Sequence, residues 1–260
     1  MNHGLPAAYA AADANAVSDA GYAYHVVTVS EAVERAVSGE WDIPEFQRQF
    51  AWRPSQVCGL GDSLWRNYPF GALLLWRNAE STDGRSQPRW WIADGQQRLT
   101  ALCILSGREP VWLARKSEAN RTRLNQRYDL RFDAGIHGPP QFVAARESAR
   151  ADASGLIPVS RLRAIDPQDE GGRRELELLV GRLKTLACYR AVDSAELYRR
   201  LSRAVMVYQR ELVATLVAHP REDVLEIFER LNSRGMRFRK VLLKLAMEEI
   251  PAAIRGVRGR

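Results

Sequence analysis

The sequence predicts an α+β fold with a mostly helical second half. Three observations predict it. Short apolar runs of strand length fall in the first half, at residues 72–76 and 89–93. The second of these meets a glycine corner, Asp94-Gly95, and a helical pattern follows at once. From Arg173 onward the apolar residues recur at helical spacing. With 260 residues, 46% hydrophobic and 27% charged, the chain can bury a core without a metal or disulfide staple.

Residues 1–22 are rich in Ala, Asn, Asp and Gly without periodicity and read as a poorly ordered arm, with order beginning near Tyr24. Thr28 and Glu31 have capping-box spacing. Val29, Ala32, Val33, Ala36 and Val37 then repeat at helical intervals as far as Gly39, a C-terminal stop. Ile43-Pro44 forces an extended backbone, because the residue before proline is pushed out of the helical region. Pro54 opens a second helix through Val57, Leu60, Leu64 and Trp65, ended by Tyr68-Pro69. Its Gly59 and Gly61 read as packing positions, since no strand precedes them and no third glycine follows.

After Phe70-Gly71, residues 72–76 predict a buried strand and residues 89–93 a second one that pairs with it as a hairpin. Residues 96–106 predict a helix with Leu99, Leu102, Cys103 and Leu105 inward, ended by Gly107. Residues 111–113 and 128–132 are expected as further strands, with a loop over 133–140. Leu176, Leu179, Val180, Leu183 and Ala187 share a helical face. Tyr198, Leu201 and Val205 share another after an Asp193 cap. Residues 211–218 predict a last strand. A helix ended by Gly235 and a terminal helix over 241–250 are expected after it.

No apolar run approaches the roughly 20 residues that span a bilayer, and the N-terminal arm carries Asp13 and Asp19 where a signal peptide needs an apolar stretch. A cytoplasmic protein without membrane contact is expected. Cys58, Cys103 and Cys188 have no metal-binding or framework spacing, so reduced, mostly buried thiols are expected. The net charge of +7 lies entirely in residues 230–260, where nine basic residues face Glu248 and Glu249. Such a terminus suits a polyanion, because nucleic-acid affinity rests largely on phosphate neutralisation, and it also suits a solvated tail. A second basic cluster comprises Arg108, Arg115, Lys116, Arg121, Arg123, Arg127 and Arg131.

The strand-to-helix corner Asp94-Gly95-Gln96-Gln97-Arg98 carries the chemistry. A helix start presents unpaired N–H groups and partial positive charge, and glycine there lets an anion approach closely. The adjacent Asp94 carboxylate can hold Mg²⁺, and Arg98, one turn in, can grip phosphate oxygens. The same residues also read as an aspartate cap and a surface arginine.

Three spaced segments then match a known pattern in order: Ile43-Pro44-Glu45-Phe46-Gln47-Arg48-Gln49-Phe50-Ala51-Trp52, Ala93-Asp94-Gly95-Gln96-Gln97-Arg98-Leu99-Thr100, and Phe228-Glu229-Arg230-Leu231-Asn232-Ser233-Arg234-Gly235, with Phe70-Gly71 between the first two. Over about residues 24–250 the sequence resembles the N-terminal domain of GmrSD-type restriction endonucleases. The resemblance implies a ParB/sulfiredoxin-like core with a small mixed sheet over residues 23–150, and a mostly helical subdomain over 151–260 that completes the site. It implies a hydrolase of nucleoside triphosphates, often GTP, in bacterial defence against modified phage DNA, working with an HNH nuclease. The chain departs from the family in two ways. Its histidines, His3, His25, His137 and His219, are too scattered for an HNH motif. Phe238-Arg239-Lys240-Val241 also stands where the family has a polar cap and an acidic helix start.

Carried over by residue, the resemblance puts Gln47 and Arg48 beside the corner, with Asn232 and Arg234 as further contacts. Catalytic roles are expected for Asp94, Gln97, Arg98 and Gln47. Nucleotide binding is expected of Arg48, Gly95, Gln96, Thr100, Asn232 and Arg234, with Asp94 as metal ligand. Glutamine can orient an attacking water and arginine can offset charge on a transferred phosphoryl group. Rival readings are a backbone-satisfying Gln47, an Arg48–Asp94 ion pair and a C-capping Asn232. DNA contacts are expected from Arg237, Arg239 and Lys240.

The expected function is an NTP-hydrolysing, DNA-sensing domain of a modification-dependent restriction system, using GTP or another NTP and Mg²⁺ and lacking the nuclease half. The alternative is a non-catalytic module that binds modified DNA, with nucleotide as conformational ligand. Expected partners are DNA, an HNH nuclease domain or subunit, and a second copy of the chain.

Overall fold

The computed structural model describes residues 21–44, 49–78, 89–135, 139–145, 155–220, 223–224, 226–227 and 230. The first described element is a strand, β1 (Tyr22–Thr28), whose start falls within the expected arm. Helix α1 (Val29–Ser38) follows directly. Its predicted capping box is present: the Thr28 N–H donates to Glu31 Oε2 at 2.7 Å and the Glu31 N–H to Thr28 Oγ1 at 3.1 Å. Gly39 ends it with φ +84°, a left-handed conformation that favours glycine. Then come β2 (Trp41–Asp42), α2 (Pro54–Trp65), the hairpin strands β3 (Leu73–Arg77) and β4 (Trp90–Asp94), and α3 (Gln96–Leu105).

Residues 111–113, expected as a strand, instead form the one-turn helix α4 (Val111–Ala114), which starts at Pro110 and buries Trp112 and Leu113. A three-residue apolar run has no periodicity with which to tell one turn of helix from a strand. Helix α5 (Glu118–Arg127) went unpredicted because it buries none of its residues. Three short strands, β5 (Leu130–Asp133), β6 (Gln141–Ala144) and β7 (Leu156–Pro158), make a small sheet in the order β6-β5-β7. Helices α6 (Val159–Arg163), α7 (Glu170–Thr185) and α8 (Ser194–Val205) precede β8 (Glu211–Val217). The Asp193 cap is as predicted, accepting from the Glu196 N–H at 3.0 Å. The expected terminal helix over 241–250 lies outside the described residues.

The larger sheet has the order β1-β8-β3-β4-β2. It is mixed: β1–β8 and β3–β4 are antiparallel, while β3–β8 and β2–β4 are parallel. Strand β8, from the second half of the chain, thus lies between two strands of the first half. One buried cluster runs from Trp41, Leu75 and Ile92 to Leu162, Leu176 and Leu201, and so joins residues on both sides of position 150. The smaller sheet packs on α2 at Gly61, where a Cβ would meet the Phe142 ring at 2.7 Å. Gly61 is therefore the packing position expected of it. Gly59 is not, because a Cβ there would meet nothing within 4 Å. Across the described residues no helix is long and apolar enough to span a membrane. Cys58 and Cys103 are buried and Cys188 is exposed.

Candidate functional site

Strand β4 ends at Asp94 and Gly95 turns the chain into α3. Gly95 has φ +93°, and a Cβ there would stand 2.4 Å from Leu73 Cδ2. Left-handed backbone and lack of space together require glycine. No side chain caps α3, and its first internal bond runs from the Leu99 N–H to the Gly95 carbonyl at 2.8 Å. The N–H groups of the first turn therefore lie ahead of the helical ladder beside a residue without a side chain, the arrangement that suits an anion. The half-buried Asp94 carboxylate has no hydrogen bond or ion pair with any described residue.

Arg98 does not pair with Asp94. Its guanidinium donates to the Ala72 carbonyl and lies over Gly71, where a Cβ would be 3.1 Å from Cζ. Gly71 has φ +88°. The Phe70-Gly71 turn is thus shaped to receive the arginine, and most of the five N–H donors of Arg98 remain for a ligand.

Gln97 is oriented differently from expectation. Its Oε1 accepts from the Ala51 N–H at 2.8 Å and its Nε2 donates to the Gln49 carbonyl at 3.2 Å. The side-chain amide occupies the place of a neighbouring strand's peptide group, so Gln97 positions the end of the first motif and keeps one N–H and one lone pair beyond these bonds. Thr100 is also corrected. It is 0% exposed and its hydroxyl accepts from Trp112 Nε1 at 3.0 Å, which makes it a core residue and removes it from any ligand surface. Gln96 is buried as well, at 7% exposure.

The first motif is held at both described ends. At its start, Asp42 is buried, bonds the Ile43 N–H at 2.8 Å and pairs with Arg115. At its end, Tyr128 Oη donates to the Trp52 carbonyl at 2.5 Å, and the Phe50 and Tyr128 rings lie 5.6 Å apart. Sequence reading missed these anchors. They act on backbone groups across separations of 48 and 76 residues, which no local pattern encodes. Gln47 and Arg48 lie outside the described residues, as do Asn232, Arg234, Arg237, Arg239 and Lys240.

The second basic cluster is largely neutralised. Arg108 pairs with Glu34 at 2.8 Å, Arg115 with Asp42, Arg121 with Glu109 at 2.6 Å and Arg131 with Asp129 at 3.1 Å. Arg127 stacks on the Tyr128 ring. The cluster's spacing suggested a free phosphate-binding surface, but the fold pairs four of its arginines with carboxylates, Glu34 and Asp42 from other elements and Glu109 and Asp129 from the stretch itself. Among the described residues no three His, Cys, Asp or Glu side chains converge as a metal centre.

The structure thus gathers the first motif's end, the Phe70-Gly71 turn and the Asp94–Arg98 corner into one place. A model of the GmrSD restriction endonuclease N-terminal domain matches residues 29–241. The chain belongs to this family. The GmrSD domain is a component of restriction systems, which ties the chain to such a system. Among curated proteins, the uncharacterized protein MJ0686 of Methanocaldococcus jannaschii is 33% identical over 90 residues, 28% of this chain and 15% of that one. The chain therefore aligns with only a small part of that relative's length.

Proposed function

We propose that the corner at residues 94–98 binds and hydrolyses a nucleoside triphosphate, GTP in the first instance, and that this activity reports on modified DNA to an HNH nuclease. The observation that carries the reading is the separation of Asp94 from Arg98. An ion pair between them would make the motif a structural clasp. Instead a carboxylate without a described partner and a guanidinium with unused donors flank an uncapped helix start.

In this reading the first-turn N–H groups of α3 receive phosphate oxygens, and Arg98 offsets charge that develops on the transferred group. Asp94 suits Mg²⁺, which is bound through one or two carboxylates plus substrate phosphates and, when present, neutralises phosphate charge. With Gln97 positioning the first motif, Gln47 is the other glutamine given a catalytic role and is the candidate for orienting water. The tie of Gln97 to the first motif's backbone also favours the second reading, in which nucleotide is bound without turnover.

The test is GTP turnover with Mg²⁺, with and without modified DNA. Asp94→Asn and Arg98→Ala should each reduce turnover at least tenfold, the loss of about 1.4 kcal/mol of transition-state stabilisation. Bound GTP that is never hydrolysed by the wild type would establish the second reading. Neither binding nor turnover would remove both.

A further inference from the structure

Three arginines gather at the C-terminal end of α2, and none of them forms an ion pair among the described residues, although the Arg66 charge acts on the Asp62 carboxyl. Arg203 lies over the Trp65 ring with Cζ 4.5 Å from the centroid, and it donates to the Trp65 carbonyl at 3.2 Å. Arg210 donates through Nε to the Leu64 carbonyl at 3.3 Å. Arg66 is the C-cap of the same helix and is exposed. Ten described arginines each meet a carboxylate. These three belong to the described arginines that do not, and they differ from most of the others in lying together at one helix end. Nearby Asp62 accepts instead from the Phe142 N–H at 2.8 Å, and Glu211 forms no ion pair among the described residues.

Capping alone does not account for the group. A helix C-terminus carries about half a negative charge, which one cation balances. Here three arginines lie at that end, two of them half-buried with their guanidinium groups on its last carbonyls. Burial, and after it the neighbouring Arg203 charge, hold Arg210 below the ordinary arginine range. Such a surplus favours an anion, and a planar guanidinium fork matches phosphate.

We propose that Arg66, Arg203 and Arg210 form a second phosphate site, which takes the backbone of DNA. It lies at one end of the loop of residues 66–72, and the Arg98 corner lies at the other. The loop is largely exposed and carries Tyr68 at 56% exposure. DNA laid along it would meet the corner at Gly71 and Ala72. The proposal rests on the DNA reading above and gives that partner a place on the molecule.

The experiment titrates a short labelled duplex against the full chain at several salt concentrations. Each lost phosphate contact lowers the slope of log K against log salt by about 0.9. The double variant Arg203→Gln/Arg210→Gln should therefore lose about two units and Arg66→Ala about one. Should the double variant fold poorly, Arg66→Ala decides, because its side chain makes no hydrogen bond among the described residues. Wild-type binding with unchanged slopes in the variants overturns this site and leaves the DNA reading standing. No wild-type binding at any salt overturns both. Affinity for a fluorescent GTP analogue should not change. Its loss with an unchanged DNA slope would give the site to nucleotide phosphate and overturn the proposal.

Discussion

The corner at residues 94–98, with one arginine, and the stretch at 108–131, with six, are neighbours in sequence, yet the fold treats them in opposite ways. In the second, Glu34, Asp42, Glu109 and Asp129 each meet an arginine. In the first, Asp94 has no partner among the described residues while Arg98 and Gln97 turn to backbone groups of other segments. A cluster of charge along the chain is therefore a poor guide to charge in space. The groups to examine are those for which the fold could have supplied a partner and did not.

The comparison breaks most severely at Gly95. Gly95→Ala forces a side chain into left-handed backbone and against Leu73, with overpacking and strain costs that together reach about 2–5 kcal/mol in denaturant unfolding. A smaller loss would mean that the corner is pliable and that its separated charges can close on each other. Next comes Gln97→Ala, which removes two hydrogen bonds to the first motif and should cost about 1–3 kcal/mol. Amide exchange at Ala51 should accelerate while exchange in α7 is unchanged. Equal acceleration throughout would show that Gln97 supports the fold as a whole.

The sequence made the corner legible because strand, glycine and helix are local signals. The β3–β4 hairpin, α1 with its capping box, and β8 were legible for the same reason. Strand β1 was not: Tyr22 and Tyr24 are each 49% exposed, so its alternation places aromatic residues outward, against the usual pattern. Helix α5 has no apolar face to read. At the site, residue types were readable and their directions were not. Nothing in Gln97 or Thr100 as letters tells that one reaches backbone 48 residues away and the other enters the core.

Smaller effects sharpen the contrast by pH. Burial raises the Asp62 carboxyl above its ordinary value, outweighing the Phe142 N–H bond and the nearby Arg66 charge. The folded state then holds this proton more tightly than the unfolded chain does, so ionised Asp62 destabilises above its folded pKa. The penalty disappears as pH falls below the unfolded value. Asp62→Asn should therefore be neutral to slightly stabilising at pH 7 in thermal melts, with the advantage vanishing in acid. An advantage that grew in acid would contradict the assignment.

The smallest effects belong to the paired stretch. Glu34→Gln loosens Arg108 and Arg163 together, yet at 49% side-chain exposure it should cost less than about 1 kcal/mol. Arg121→Ala should leave the salt dependence of DNA binding unchanged. A reduced slope would show that Arg121 leaves Glu109 for phosphate, and the contrast between the two regions would fail.

The place of β8 in the sheet also bears on how the chain acquires its fold. During synthesis β1, β3 and β4 emerge long before residues 211–217, and β1 cannot join β3 until β8 slots between them. The hairpin beneath Asp94 therefore waits, with an open β3 edge, for about 120 further residues, at roughly 5–20 residues per second. That edge is a template for stray strand pairing until it is filled. The nascent chain is most exposed to aggregation in this interval, and the corner becomes a rigid site only when it ends.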